Sequence, residues 1–126
     1  MEYPPITGLF AWAISFITPN SSNVLYFDLN ILFLIMMYFI SALILKALAP
    51  KYLYLFLASP AVIASLFINW DLIAVASALL TVYFFEKKKY EESAIALGIS
   101  IATKFFPIVM LLPIAIIFYR RKQIKQ

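Results

Sequence analysis

Two charged residues stand out in this sequence because each interrupts a long apolar stretch. Asp71 follows Asn69 and Trp70 between two such stretches, and Lys104 lies between Thr103 and a Phe-Phe-Pro sequence. Charged groups near membrane depth commonly pair with another residue or contact a ligand, so Asp71 can orient a substrate and Lys104 can hold an anionic group. Two structural interpretations stay open beside these. Asp71 is a good helix-capping residue, and Lys104 can extend from the end of a helix to water.

The composition indicates an integral membrane protein. The residues are 65% hydrophobic and only 13% charged, whereas about a quarter of the residues in soluble domains are charged. Histidine and cysteine are both absent, which removes the commonest general base, the commonest transition-metal ligand and any thiol nucleophile. We therefore expect no metal and no cofactor. The net charge of +4 comes from short clusters between apolar runs, a pattern that indicates membrane orientation and argues against nucleic-acid binding.

Division of the chain at its charges predicts an all-α fold with about five short transmembrane helices. The predicted spans are Leu29–Leu45, Tyr52–Ile68, Leu72–Phe85, Ser93–Thr103 and Phe105–Tyr119. The N-terminal run Ile6–Ile17 is shorter still, because a bilayer core needs roughly 20 helical residues, and it predicts an interfacial or re-entrant helix. We interpret residues 1–126 as a single transmembrane unit that is part of a longer membrane domain.

The positive residues predict the orientation of these spans. If the chain crosses the membrane at every span, nine of the ten basic residues fall on one side, which we assign to the cytoplasm together with the C-terminus. Lys104 alone falls on the outer side. The isolated polar residues arrive on that same extracytoplasmic side, where they form a predicted polar cluster of Glu2, Tyr3, Asn69 and Asp71 close to Lys104.

Four prolines carry local predictions. Tyr3-Pro4-Pro5 predicts a stiff, extended segment that leads into the N-terminal helix, because proline fixes its own φ and restricts the residue before it. Pro107 predicts a helix start just after Lys104. Pro60 lies inside the second predicted span.

The order of these motifs resembles that of a known enzyme class. Glu2-Tyr3-Pro4-Pro5, Asn69-Trp70-Asp71-Leu72 and Thr103-Lys104-Phe105-Phe106-Pro107 are similar to motifs of the multi-span GT-C glycosyltransferases that use polyprenol-phosphate sugars. The similarity is greatest to the mannosyltransferase-like group called glycosyltransferase family 87, and it covers nearly the whole chain.

The resemblance implies sugar transfer at the extracytoplasmic face. Enzymes of this class take a hexose such as mannose from a polyprenyl-phosphate donor and pass it to a lipid or glycan acceptor. A carboxylate acts as the general base, and basic residues hold the phosphate, a role that falls to Lys104 here. The usual catalytic carboxylate precedes the Glu-Tyr-Pro motif, so the catalytic base is left unassigned. The chain is then a fragment, a shortened member or an inactive remnant.

A second class of function stays open from the sequence. A small membrane protein with a few short spans also suits a flippase subunit for lipid-linked sugars, or a membrane scaffold. Lys104 would then guide an anionic lipid headgroup without any bond chemistry. In either case the expected partners are polyprenyl-phosphate-linked sugars and membrane lipids, with no nucleic acid, and the oligomeric state stays open.

The predicted orientation can be tested by cysteine labelling, since the chain has no cysteine of its own. In intact cells, an impermeant thiol reagent should label single cysteines placed at Asn23 and Asn69, and it should not label one placed at Lys88. The reason is the asymmetry of basic residues. Labelling at Lys88 in sealed cells would overturn the orientation.

Overall fold

A computed structural model describes residues 4–18, 22–68 and 70–123, and the regular structure in these ranges is entirely helical. The predicted all-α class is therefore confirmed for this part of the chain. The helices are α1 (Pro5–Ile17), α2 (Asn23–Leu48), α3 (Leu53–Leu57), α4 (Pro60–Ile68), α5 (Asp71–Glu86), α6 (Tyr90–Thr103) and α7 (Leu111–Gln123). Short 3₁₀ segments, Pro50–Tyr52 and Phe106–Met110, lead into α3 and α7.

One helix is long and apolar enough to cross a membrane by itself. Helix α2 has 26 residues, and a second span results if α3 and α4, bent by 55° at their junction, are counted as one broken span. Helices α5 and α6, of 16 and 14 residues, are about 24 Å and 21 Å long, less than the roughly 30 Å of a hydrocarbon core. Within the described residues, the helix lengths do not support the predicted count of five spans.

The proline predictions have mixed outcomes. Pro60 does not lie inside a continuous helix: α3 ends at Leu57 and α4 begins at Pro60, because proline lacks the N–H that would continue the hydrogen-bond ladder. Pro4 is extended, with φ −55° and ψ 150°, and α1 begins directly after it. Pro107 lies in the first turn of the 3₁₀ segment that leads into α7. The predicted helix start after Lys104 is thus confirmed.

Helices α5 and α6 form an antiparallel hairpin with the closest packing in the described structure. The side-chain hydroxyl of Ser100 donates a hydrogen bond to the carbonyl oxygen of Ala74 (2.7 Å), and that of Ser93 donates to the carbonyl oxygen of Thr81 (2.8 Å). All four residues are buried. Small and hydroxyl-bearing side chains let two helix backbones approach closely, and the hydrogen bonds fix their register.

The turn between α5 and α6 closes with a helix C-cap of the Schellman type. The backbone N–H of Lys89 donates to the carbonyl of Phe84 (2.9 Å), and that of Lys88 donates to the carbonyl of Phe85 (3.1 Å). Lys88 has φ 61°, in the left-handed region that favours glycine at this position. A lysine there costs stability, because its Cβ crowds the backbone.

Helices α1, α2 and α4 pack against this hairpin. The apolar core joins Leu34 of α2 to Leu72 and Ile73 of α5. Helix α2 begins earlier than the predicted span because the Ser22 hydroxyl caps it, accepting a hydrogen bond from the backbone N–H of Leu25 (3.2 Å). The hairpin and the start of α2 together position the residues discussed below.

The strained turn predicts a stabilising substitution. Lys88→Gly should raise the free energy of unfolding by about 0.5–1 kcal/mol, because glycine adopts the left-handed conformation without a Cβ clash. Lys87→Gly is the matched control: Lys87 has φ −75°, so this variant removes an equal charge from the same turn without relieving strain. The measurement is unfolding in detergent micelles. Equal effects of the two substitutions would contradict the strain argument.

Candidate functional site

The hairpin brings Asp71 and Lys104 together. Asp71 is the first residue of α5, and Lys104 directly follows the last residue of α6. The two helices advance by equal numbers of residues from Ala74 to Thr81 and from Ser100 back to Ser93, so the same register places Asp71 beside the end of α6. The Lys104 Nζ donates a hydrogen bond to the Asp71 Oδ1 and forms an ion pair with it.

Each charge also suits the helix end that carries it. Asp71 lies in the first turn of α5, at the positive end of the helix dipole, and Lys104 lies at the C-cap of α6, at the negative end. Both side chains stay partly accessible, with 32% of the Asp71 side chain and 42% of the Lys104 side chain exposed. The pair is thus formed and oriented but remains open to a ligand from outside.

The predicted capping role of Asp71 is wrong. Trp70 occupies the N-cap position of α5, and the described residues provide no side-chain cap hydrogen bond at this helix end. Lys104 does not simply extend into solvent either, because its ammonium contacts Asp71. Of the predicted polar cluster, Glu2, Tyr3 and Asn69 lie outside the described residues, so the structure brings together only the Asp71 and Lys104 part of it.

Helix α1 reaches this end of the hairpin, which the sequence did not reveal. The Thr7 hydroxyl donates a hydrogen bond to the carbonyl oxygen of Thr103 (2.9 Å), and this contact is buried. Phe10, one turn further along α1, packs edge-to-face on Trp70, with 5.4 Å between the ring centroids. Helix α1 is therefore attached beside both members of the ion pair.

A cavity of about 510 Å³ lies between α1, the start of α2 and Trp70. We call it the tryptophan cavity; it is lined by Thr7, Gly8, Ala11, Trp12, Ser15, Tyr26 and Trp70. A smaller cavity of about 180 Å³ lies on the other side of Tyr26 and Trp70 and includes Asn30. Asn30 follows Asp28 and directly precedes the long apolar run of α2, and this position was the available sequence signal for it.

An apolar groove of about 440 Å³ lies along α2, α5 and α6. Its walls include Phe33 and Met37 of α2, Ile73 of α5 and Ile99 of α6. Ile73 and Ile99 belong to the same end of the hairpin as the ion pair, so the groove runs from that end toward the turn at Lys88. Within the described ranges, no three acidic side chains cluster in a way that could hold a metal ion.

Comparison with known proteins gives one match. The described part of the chain is helical, with one helix long and apolar enough to cross a membrane and a charged pair at a hairpin end. A family model described as Mannosyltransferase (PIG-M) matches residues 64–126, which is half of the chain. The chain belongs to this mannosyltransferase family. The match supports a mannosyltransferase-like GT-C protein, but it does not support the narrower assignment to family 87.

No curated protein and no solved structure matches the chain. The matched half contains α5, α6, Asp71, Lys104 and the Pro107 segment, whereas α1 and α2 precede it. The ion pair therefore lies in the part of the chain that carries the family relationship.

The exposure of the ion pair predicts that it contributes little to stability. Partly exposed pairs are screened by water and typically contribute at most about 1 kcal/mol. A double-mutant cycle of Asp71→Asn, Lys104→Met and the combined variant should therefore give a coupling energy of unfolding of about 1 kcal/mol or less. A coupling energy of several kcal/mol would instead identify the pair as a structural clamp.

Proposed function

We propose that this chain is part of a membrane glycosyltransferase that transfers a mannosyl or related hexosyl group from a polyprenyl-phosphate sugar to a lipid or glycan acceptor. The reaction takes place at the extracytoplasmic face. The observation that carries the proposal is the partly exposed Asp71–Lys104 pair at the end of the α5–α6 hairpin, within the half of the chain that matches the mannosyltransferase family.

Lys104 holds the donor phosphate in this proposal. An ammonium group has three N–H donors, and the contact with Asp71 uses one of them. The others remain for phosphate oxygens, and a charge on a partly exposed side chain can reach them without leaving its partner. As the sugar is released, negative charge grows on the phosphate, so a fixed cation there stabilises the transition state. Asp71 acts as a positioning residue that orients the ammonium.

The apolar groove suits the hydrocarbon part of such a donor. It is lined almost wholly by apolar side chains and begins near Ile73 and Ile99, on the same end of the hairpin as Lys104. A lipid tail in the groove would bury apolar surface, while its phosphate would remain beside the ammonium. The lipid tail and the phosphate of the donor are thus complementary to the apolar groove and to the Lys104 ammonium, respectively.

The proposed membrane arrangement is a multi-pass one, with five crossings and the C-terminus in the cytoplasm. It is supported by the distribution of Lys and Arg along the chain. Helices α5 and α6 are short. Helices of this length can cross a bilayer when other helices of a longer domain shield their ends or when the bilayer thins around them.

Lys104→Met should weaken binding of a polyprenyl-phosphate mannose roughly ten- to a hundredfold. The change keeps the length of the side chain and removes a charge-assisted contact of about 1.5–3 kcal/mol. Lys104→Arg should retain part of the affinity, because the charge remains but its geometry changes. The measurement is donor affinity in a complete enzyme that contains this segment.

Lys89→Met is the matched control, since Lys89 also forms an ion pair, with Glu92 at 3.5 Å, but at the opposite end of the hairpin. Its donor affinity should equal that of the unaltered protein, and membrane levels of all variants should be normal. Donor affinity that is indifferent to Lys104→Met would refute the phosphate role. Donor binding that needs Lys104 without any sugar transfer would favour the flippase or scaffold alternative.

A further inference from the structure

Two residues in the wall of the tryptophan cavity are linked to the backbone next to the ion pair. Trp70, in its wall, directly precedes Asp71 in the chain. Thr7, also in its wall, donates its hydroxyl to the carbonyl of Thr103, the residue before Lys104. The cavity wall is therefore joined to the backbone beside both charged residues, although neither charged side chain lines the cavity.

One face of α1 lines the cavity with Gly8, Ala11, Trp12 and Ser15. Three of these side chains are small. A Cβ atom added at Gly8 would meet no heavy atom within 4 Å. The other walls come from Tyr26 of α2 and from Trp70. The lining thus combines two tryptophan rings with the hydroxyl groups of Thr7, Ser15 and Tyr26.

The adjoining cavity contains a hydrogen-bond acceptor without a partner. The Asn30 side chain is 8% exposed, and its Nδ2 donates to the carbonyl of Tyr26 (2.6 Å). This bond fixes the orientation of the amide. The amide oxygen, Oδ1, is buried and accepts no hydrogen bond from the described residues. A buried acceptor of this kind is costly unless a ligand or water satisfies it.

We propose that the tryptophan cavity binds a pyranose ring, whose apolar face stacks on a tryptophan ring and whose hydroxyl groups donate to the side-chain oxygens of Thr7, Ser15 and Tyr26. The C–H bonds of a sugar face carry partial positive charge, and the face of an aromatic ring is negative. A ring substituent that passes between Tyr26 and Trp70 donates a hydroxyl to Asn30 Oδ1. Asn30 lines the adjoining cavity and its Oδ1 is covered, so this contact requires the Tyr26 and Trp70 side chains between the two cavities to move apart. The inference rests on the proposed function and deepens it.

The chain offers a direct readout, because its two tryptophans, Trp12 and Trp70, both line the cavity. Titration of the full chain with methyl α-mannopyranoside should change the tryptophan emission in a saturable way. The protein is held in a detergent without a sugar headgroup. Half-saturation is expected on the order of 1 mM, the range for so small a ligand. Mannitol, which has hydroxyl groups but no ring, should give no saturable change.

Gly8→Leu should fill the cavity and raise the half-saturating mannoside concentration at least tenfold. Gly98→Leu is the matched control: Gly98 is also helical, and a Cβ there also meets nothing within 4 Å, but it lies outside the cavity. Asn30→Leu should weaken mannoside binding several-fold while thermal stability stays equal or rises, since it removes an unsatisfied buried acceptor. Unchanged mannoside affinity in both Gly8→Leu and Asn30→Leu would overturn the proposal, as would an equal response to mannitol.

Competition experiments distinguish whether the bound ring is the transferred sugar of the donor or part of the acceptor. If the ring is the transferred sugar of the donor, a short-chain prenyl-phosphate mannose should compete with the mannoside, and the same prenyl phosphate without sugar should not. If the ring belongs to the acceptor, neither compound should compete. This test is separate from the phosphate role of Lys104. A lack of saturable mannoside binding by the unaltered protein would refute the cavity assignment and leave the donor affinity test of Lys104→Met unaffected.

Discussion

The close packing of α5 against α6 is the interaction on which the rest of the structure depends. Ser93 and Ser100 donate hydrogen bonds to backbone carbonyls of the facing helix, and these bonds fix one register. In an apolar environment a hydroxyl group finds few other partners, so a slipped register would leave donors unsatisfied. Because the helices are antiparallel, that register also determines which residues meet at the open end of the hairpin. Asp71 and Lys104 meet there.

The sequence could predict the charged site but not its surroundings. Asp71 and Lys104 were visible because charges seldom interrupt apolar stretches without a partner, and their contact is confirmed. The capping prediction for Asp71 was wrong because residue type cannot fix a helix boundary to within one position. The count of five spans came from cutting at charges. That division placed Pro60 inside one helix, whereas α3 ends at Leu57 and α4 begins at Pro60.

The tryptophan cavity depends on contacts between segments far apart in the chain, which no local pattern records. Thr7 and Thr103 are joined by a hydrogen bond across 96 positions, and neither residue differs in type from an ordinary helical threonine. Gly8 carried only a weak signal, since a glycine in a helix is explained equally well by a close helix contact or by an exposed position. The open space at its Cβ position becomes visible only once α1 is placed against Trp70.

The tryptophan cavity, the ion pair and the apolar groove are proposed to bind the sugar, the phosphate and the lipid tail of one donor. Along α5, Trp70 lines the tryptophan cavity, Asp71 pairs with the Lys104 ammonium, and Ile73 lines the apolar groove. Aromatic, cationic and apolar surfaces thus follow one another within about one helical turn. A sugar joined through phosphate to a lipid tail presents its ring, its charge and its hydrocarbon in that same order. Each surface alone is common in proteins, but this sequence of three constrains the ligand much more strongly.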